Sequence, residues 1–137
     1  MSAPVIDLEK EKKEILKRYT ALLRPLADKI DKHEKQQIRK AFDLALDAHK
    51  DMRRKSGEPY IYHPIAVAQI AVSEMGLGAT AVICALLHDT VEDTDVTLED
   101  IRSMFGETEA KIIDGLTKIE NVFDQSSSIQ AENFRKI

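Results

Sequence analysis

Nine residues from Ala79 to Leu87 are almost wholly apolar, and they run directly into His88-Asp89-Thr90-Val91-Glu92-Asp93. That junction constrains the fold more than any other feature of the chain. The run is too short to span a bilayer, which takes about 20 residues. With no polar face, it suits a helix buried on most sides. Three carboxylates and an imidazole at the end of such a helix are costly to desolvate unless something compensates them. A divalent cation would do so. If the helix continues to Asp93, His88 and Glu92 are i, i+4 neighbours, and so are Asp89 and Asp93. Adjacent ligands on one helix cannot fill a coordination sphere, so a donor from elsewhere is needed. His63, at the entry to the preceding helix, is the candidate. The competing reading makes these residues an ordinary polar helix end with His88 as a cap. Acidic pairs at a helix C-terminus oppose the helix dipole, which weakens that reading.

The rest of the chain reads as helix. Leu8, Ile15, Tyr19, Leu22 and Leu26 form an apolar stripe separated by Lys and Glu, and Pro25 should stop or kink that helix near Arg24. Asp31 with Glu34 has the pattern of a capping box, followed by Ile38, Phe42, Ala45 and His49 on one face. Residues 50–59 are polar and basic and contain Gly57 and Pro59, which predicts a loop. Pro64 suits the first turn of a third helix with Ile65, Ala68, Val72 and Met75 inward and Gly76 as its stop. Thr97 and Asp100 should cap a short helix ending at Gly106. A last helix is expected from about Glu107 to Ile119, with Ile112, Ile113, Leu116 and Ile119 inward. With 5 Gly, 4 Pro and no strand alternation in 137 residues, the expected fold is all-α, a compact helical bundle. It divides into a leading helical region (1–33), a core bearing the His-Asp pattern (34–120) and a mobile polar tail (121–137).

The net charge of −4 argues against a dedicated nucleic-acid binder, which needs a broad basic surface. The lone Cys84 lies in the apolar run, reads as a small core residue and fits a reducing cytoplasm. Residues 1–10 hold no signal-peptide core, and no stretch has the length of a membrane span, so the expected location is the cytoplasm, away from membranes. His49, on an apolar helix face, reads as a core histidine, and Tyr60 and Tyr62 as packing residues under the site. Lys50 and Arg53 read as solvated loop cations.

His63 followed by His88-Asp89 resembles the HD phosphohydrolase superfamily, whose ligands are a first His, a His-Asp pair and a later Asp. Three longer blocks are more specific: Arg54-Lys55-Ser56-Gly57-Glu58-Pro59-Tyr60-Ile61-Tyr62-His63-Pro64, Leu87-His88-Asp89-Thr90-Val91-Glu92-Asp93-Thr94 and Asp114-Gly115-Leu116-Thr117-Lys118. Together they resemble the hydrolase domain of RelA/SpoT homologues, from about Ala41 to Lys118. The resemblance implies a manganese ion held by His63, His88 and Asp89, with Glu92 and Asp93 beside the metal-bound water as catalytic residues. It places Arg54 and Lys55 against the guanine base and nearby phosphates. The implied reaction removes pyrophosphate from the 3′ position of guanosine tetra- or pentaphosphate, within a longer bifunctional synthetase/hydrolase.

Family members continue into a helix reading roughly Leu-Ala-Asp-Arg-Leu-His-Asn-Met-Arg, which carries the fourth metal ligand. That segment does not occur here, so the expectation is a bundle incomplete at its C-terminus, competent in its intact parent. Two alternatives stand beside this: an HD phosphohydrolase acting on another nucleotide, and a catalytically silent helical module that binds partners. A homo-oligomer is left open.

Overall fold

The computed structural model describes residues 7–119, and every described element is helical. α1 (Leu8–Leu23) starts at Asp7, whose side chain accepts from the Lys10 amide, and gives way at Pro25 to a single 3₁₀ turn, Arg24–Leu26. α2 (Lys32–Ala48) opens on the Asp31/Glu34 capping box. α3 (Tyr62–Ser73) carries Pro64 in its first turn, where a missing N–H removes nothing the helix would use. Gly76, at φ +66, ends it by donating to the Val72 carbonyl. α4 (Ala79–Asp93) is the apolar run together with the polar residues that follow it. α5 (Leu98–Met104) begins at the Thr97/Asp100 capping box, and α6 covers 107–119. Among the described residues there is no strand, only an isolated antiparallel bridge between Arg53 and Pro59.

α4 is the axis of the bundle. It packs against both α2 and α3, and α1 lies on α3. Val82, Leu86, Leu87 and Thr90 of α4 are fully buried with Ile38, Phe42 and Ala45 of α2 and Ala68 of α3. Burying a Leu or Phe side chain stabilises by roughly 1.5–3 kcal/mol, so this seam fixes the polar end of α4 in space. Ile15, Tyr19, Leu22 and Leu26 join the same core, with Tyr19 stacked on Phe42 at 4.2 Å between ring centroids. Lys40 reaches from α2 to the Met104 carbonyl at the end of α5 (3.0 Å) and ties that short helix down. No helix is long and apolar enough to cross a membrane.

Three expected inward faces differ from the structure. Met75 is exposed, because α3 has ended at Ser73 and helical periodicity no longer applies to it. Leu8 is exposed because it opens α1 at the rim of a cavity of about 360 Å³ between α1, α2 and the 50–61 loop. On α6 the buried positions are Ala110 and Ile113, whereas Ile112, Leu116 and Ile119 face outward. That helix meets α4 near Glu109, whose carbonyl lies 3.9 Å from the Cys84 thiol, so only a narrow stripe is covered. The expected mobile tail, 121–137, lies outside the described residues.

Candidate metal centre

The helix does continue to Asp93, with Thr94 as its C-cap, so His88, Asp89, Glu92 and Asp93 emerge from the last turn and a half of α4. The buried seam immediately before them sets their direction. Asp89 is the hub. Its Oδ1 faces Nδ1 of His88 at 3.3 Å, and its Oδ2 faces Nε2 of His63, at the start of α3, at 3.5 Å. Asp89 and His88 are largely covered, with side chains 14% and 15% exposed, and His63 is more open at 39%. Glu92 joins them: ligand atoms of His88, Asp89 and Glu92 all lie within 4.8 Å of one another.

These separations suit a cation. At 3.3–3.5 Å the imidazole nitrogens stand beyond the usual reach of an N–H···O bond. Ligand atoms about 2.0–2.2 Å from a shared metal stand roughly 3–3.6 Å from each other, which is the spacing within each His–Asp89 pair. The group close enough to share one ion is His88, Asp89 and Glu92, one imidazole and two carboxylates, a mixed nitrogen and oxygen set that accepts several divalent metals. His63 stands outside that group and meets it through Asp89.

Tyr60 is the residue that sequence reasoning undervalued. It does pack under the site, stacked on the buried His49 imidazole with centroids 4.6 Å apart. In addition, its hydroxyl lies 3.2 Å from Oδ2 of Asp89 and 3.2 Å from Oδ2 of Asp93. Burial first, and then the two carboxylates, push the phenol well above its ordinary pKa, so it remains a hydrogen-bond donor. Tyr62, by contrast, turns away to receive the Arg18 guanidinium over its ring at 3.8 Å.

The basic loop is split. Arg53 is not a solvated cation: it makes two hydrogen bonds to the Glu11 carboxylate (2.8 and 2.7 Å) and a third to the Gly57 carbonyl (2.8 Å). A bidentate guanidinium pairing of this kind joins the loop to α1. Arg54 and Lys55 sit beyond it on the exposed tip, where Arg54 N–H donates to Glu58 O and Gly57 adopts φ +92. The structure groups His88, Asp89 and Glu92, brings His63 against Asp89 and links Asp93 to Asp89 through the Tyr60 hydroxyl, and among the described residues neither Arg54 nor Lys55 is in hydrogen-bond or ion-pair contact with that cluster. In α6, Lys118 pairs with Asp114 (3.1 Å) and Thr117 bonds back to the Ile113 carbonyl.

Residues 41–137 match the model of the HD domain family. The chain is 46% identical over 102 residues to a guanosine-3′,5′-bis(diphosphate) 3′-pyrophosphohydrolase of Aquifex aeolicus, a match covering 74% of this chain and 14% of that protein. It is 44% identical over 103 residues to the bifunctional (p)ppGpp synthase/hydrolase SpoT of Escherichia coli K12, with the same coverage. A GTP pyrophosphokinase of Streptomyces coelicolor is 40% identical over 127 residues, 87% of this chain and 15% of that protein. The chain thus spans about one seventh of the relatives it matches. The His63, His88-Asp89 cluster lies inside the matched segment, and the chain belongs to the HD domain family.

Proposed function

We propose that the chain is the hydrolase domain of a longer, bifunctional cytoplasmic enzyme that removes the 3′ pyrophosphate from guanosine tetra- or pentaphosphate, with manganese as its cofactor. The observation that carries this reading is the grouping of His88, Asp89 and Glu92, with His63 against the second oxygen of Asp89, in a segment 44–46% identical to hydrolases of that substrate. His63, His88 and Asp89 would hold the ion. When bound, it supplies Lewis acidity, lowering the pKa of water and offsetting phosphate charge. Glu92 and Asp93, one turn further along α4, would take a proton from the attacking water, a task that typically contributes ~10²–10⁴ in rate. Arg54 and Lys55 would recognise the nucleotide, the planar guanidinium stacking on the purine while the ammonium meets phosphate.

The test is hydrolysis of guanosine tetraphosphate by the full-length protein with added Mn²⁺, following release of GDP and pyrophosphate. Turnover that disappears on chelation and returns with Mn²⁺ is the expected result. Equal or faster hydrolysis of other nucleotides, with guanosine tetraphosphate untouched, would replace this reading by an HD phosphohydrolase of different specificity.

A further inference from the structure

The function proposed above leaves Tyr60 with no task, yet it is among the most constrained side chains around the cluster. Its N–H donates to the Met52 carbonyl (3.1 Å) and its own carbonyl accepts from the His63 N–H (3.0 Å), so the loop and the first turn of α3 fix its backbone from both sides. Its ring lies nearly parallel to the His49 imidazole, with 19° between the planes, and meets the His63 ring edge-on at 6.1 Å. His49 is itself enclosed. It is buried, with Nδ1 3.0 Å from the Ala45 carbonyl. A carbonyl can only accept, so Nδ1 carries the hydrogen and the imidazole is pinned to its own helix.

The phenol is therefore delivered to one place, between Oδ2 of Asp89 and Oδ2 of Asp93. Those two carboxylates stand one helical turn apart, where like charges repel. A phenol has one proton to give. Two acceptors at the same distance share it; once Asp89 is committed to a cation, the proton goes to Asp93. Asp93 is exposed on the last residue of α4, and among the described residues this is the one hydrogen bond its carboxylate makes. A terminal aspartate without such a bond samples several rotamers. With it, one oxygen is held and the other is aimed beside Asp89.

We propose that Tyr60 is a positioning residue that orients the Asp93 carboxylate against the metal centre, with His49 as the platform that holds the phenol. The proposal rests on the hydrolase reading given above. It is tested in the full-length protein with Tyr60→Phe, which keeps the ring and its stack on His49 and removes the hydroxyl alone. The expected result is a fall in kcat of about ten- to thirty-fold, with KM and bound manganese (by atomic emission) within twofold of the unaltered protein. Because Tyr60 acts through Asp93, the same substitution should cost nothing further in an Asp93→Asn background. In the metal-free protein the two melting-temperature changes should likewise fail to add. A Tyr60→Phe protein with unchanged kcat, or a full loss repeated on top of Asp93→Asn, overturns the positioning role while leaving the hydrolase reading intact. If the unaltered protein does not hydrolyse guanosine tetraphosphate, the hydrolase reading falls, and this role falls with it.

Discussion

The end of α4 and the 50–61 loop both supply residues to the same neighbourhood, and they are built in opposite ways. α4 holds its functional side chains by burial: Leu86, Leu87 and Thr90 are fully enclosed, and His88, Asp89, Glu92 and Asp93 follow from where that seam ends. The loop is buried only at its end, where Ile61 enters the core and Tyr60 stacks on His49. Its tip is held by the backbone hydrogen bond from Arg54 to Glu58 and by the side-chain clamp of Arg53 on Glu11. The buried element carries the groups proposed to share a cation, and the exposed tip carries the charges proposed to meet the nucleotide. The difference teaches that adjacent cations can be placed for unrelated tasks: Arg53 is bound into the frame by Glu11, whereas the Arg54 side chain is exposed on the tip.

That contrast is broken most severely at the hub. In the full-length protein, Asp89→Asn should abolish manganese retention and lower hydrolysis by roughly 10³-fold or more, since both imidazoles face this carboxylate. Metal analysis and single-turnover kinetics on the same preparation check it; a protein that keeps its metal and its rate would remove Asp89 from the centre. Next in size are Glu92→Gln and Asp93→Asn. If these groups act on the water as proposed, each substitution should lower kcat by roughly 10²–10⁴ with KM little changed. A rise in KM at constant kcat would reassign them to substrate binding.

Much of this was legible in the sequence, and the limit has a physical form. Caps are local: Asp31 with Glu34 and Thr97 with Asp100 bond within four residues, and both capping boxes are present. The spacing of His88, Asp89 and Glu92 follows from helical periodicity once the helix is known to reach Asp93. The bond from Tyr60 to Asp93 spans 33 residues and the clamp from Arg53 to Glu11 spans 42, and no local pattern encodes either. For the same reason periodicity marked Ile112 and Leu116 as apolar positions of α6 without revealing that its contact with α4 is narrow. Cys84 was the easier case. Burial pushes its thiol up to about 12, in keeping with a core residue set in an apolar run.

Arg54 sharpens the comparison from the loop side. Arg54→Ala should raise KM for guanosine tetraphosphate about five- to thirty-fold, the range for losing a stacked guanidinium worth roughly 1–2 kcal/mol. Metal content and melting temperature should stay constant, because Arg54 is exposed and outside the core. Lys55→Ala should act in the same direction with a steeper dependence on salt, as a screened point charge does. An unchanged KM for Arg54→Ala would make the tip plain solvated surface.

The smallest effect belongs to the clamp that holds the loop, and pH isolates it. The hydrogen bond from Arg53 keeps the Glu11 carboxyl below its ordinary value of 4.5. A carboxyl depressed in the folded state contributes stability that is fully present above its unfolded pKa and is lost as pH falls through the folded one. The contribution should therefore be intact at neutral pH and should fade below about pH 4.5, where the folded-state carboxylate begins to take its proton. Glu11→Gln removes the charge and keeps the shape. At neutral pH it should lower the melting temperature of this domain by about 1–3 °C, as expected for a single exposed pair. At about pH 3 the two proteins should melt closer together, and raising salt at neutral pH should also narrow the gap. Arg53→Ala should cost somewhat more, since it also releases the Gly57 carbonyl and with it the fold of the tip. Because Arg54 rides on that tip, Arg53→Ala should also raise KM for the nucleotide slightly while kcat and bound manganese stay put. Thermal melts at the two pH values, together with KM on the same proteins, decide it: a Glu11→Gln deficit that persists undiminished in acid would mean that the clamp's charge contributes nothing, and that Glu11 steadies the loop by its shape and neutral hydrogen bonding instead.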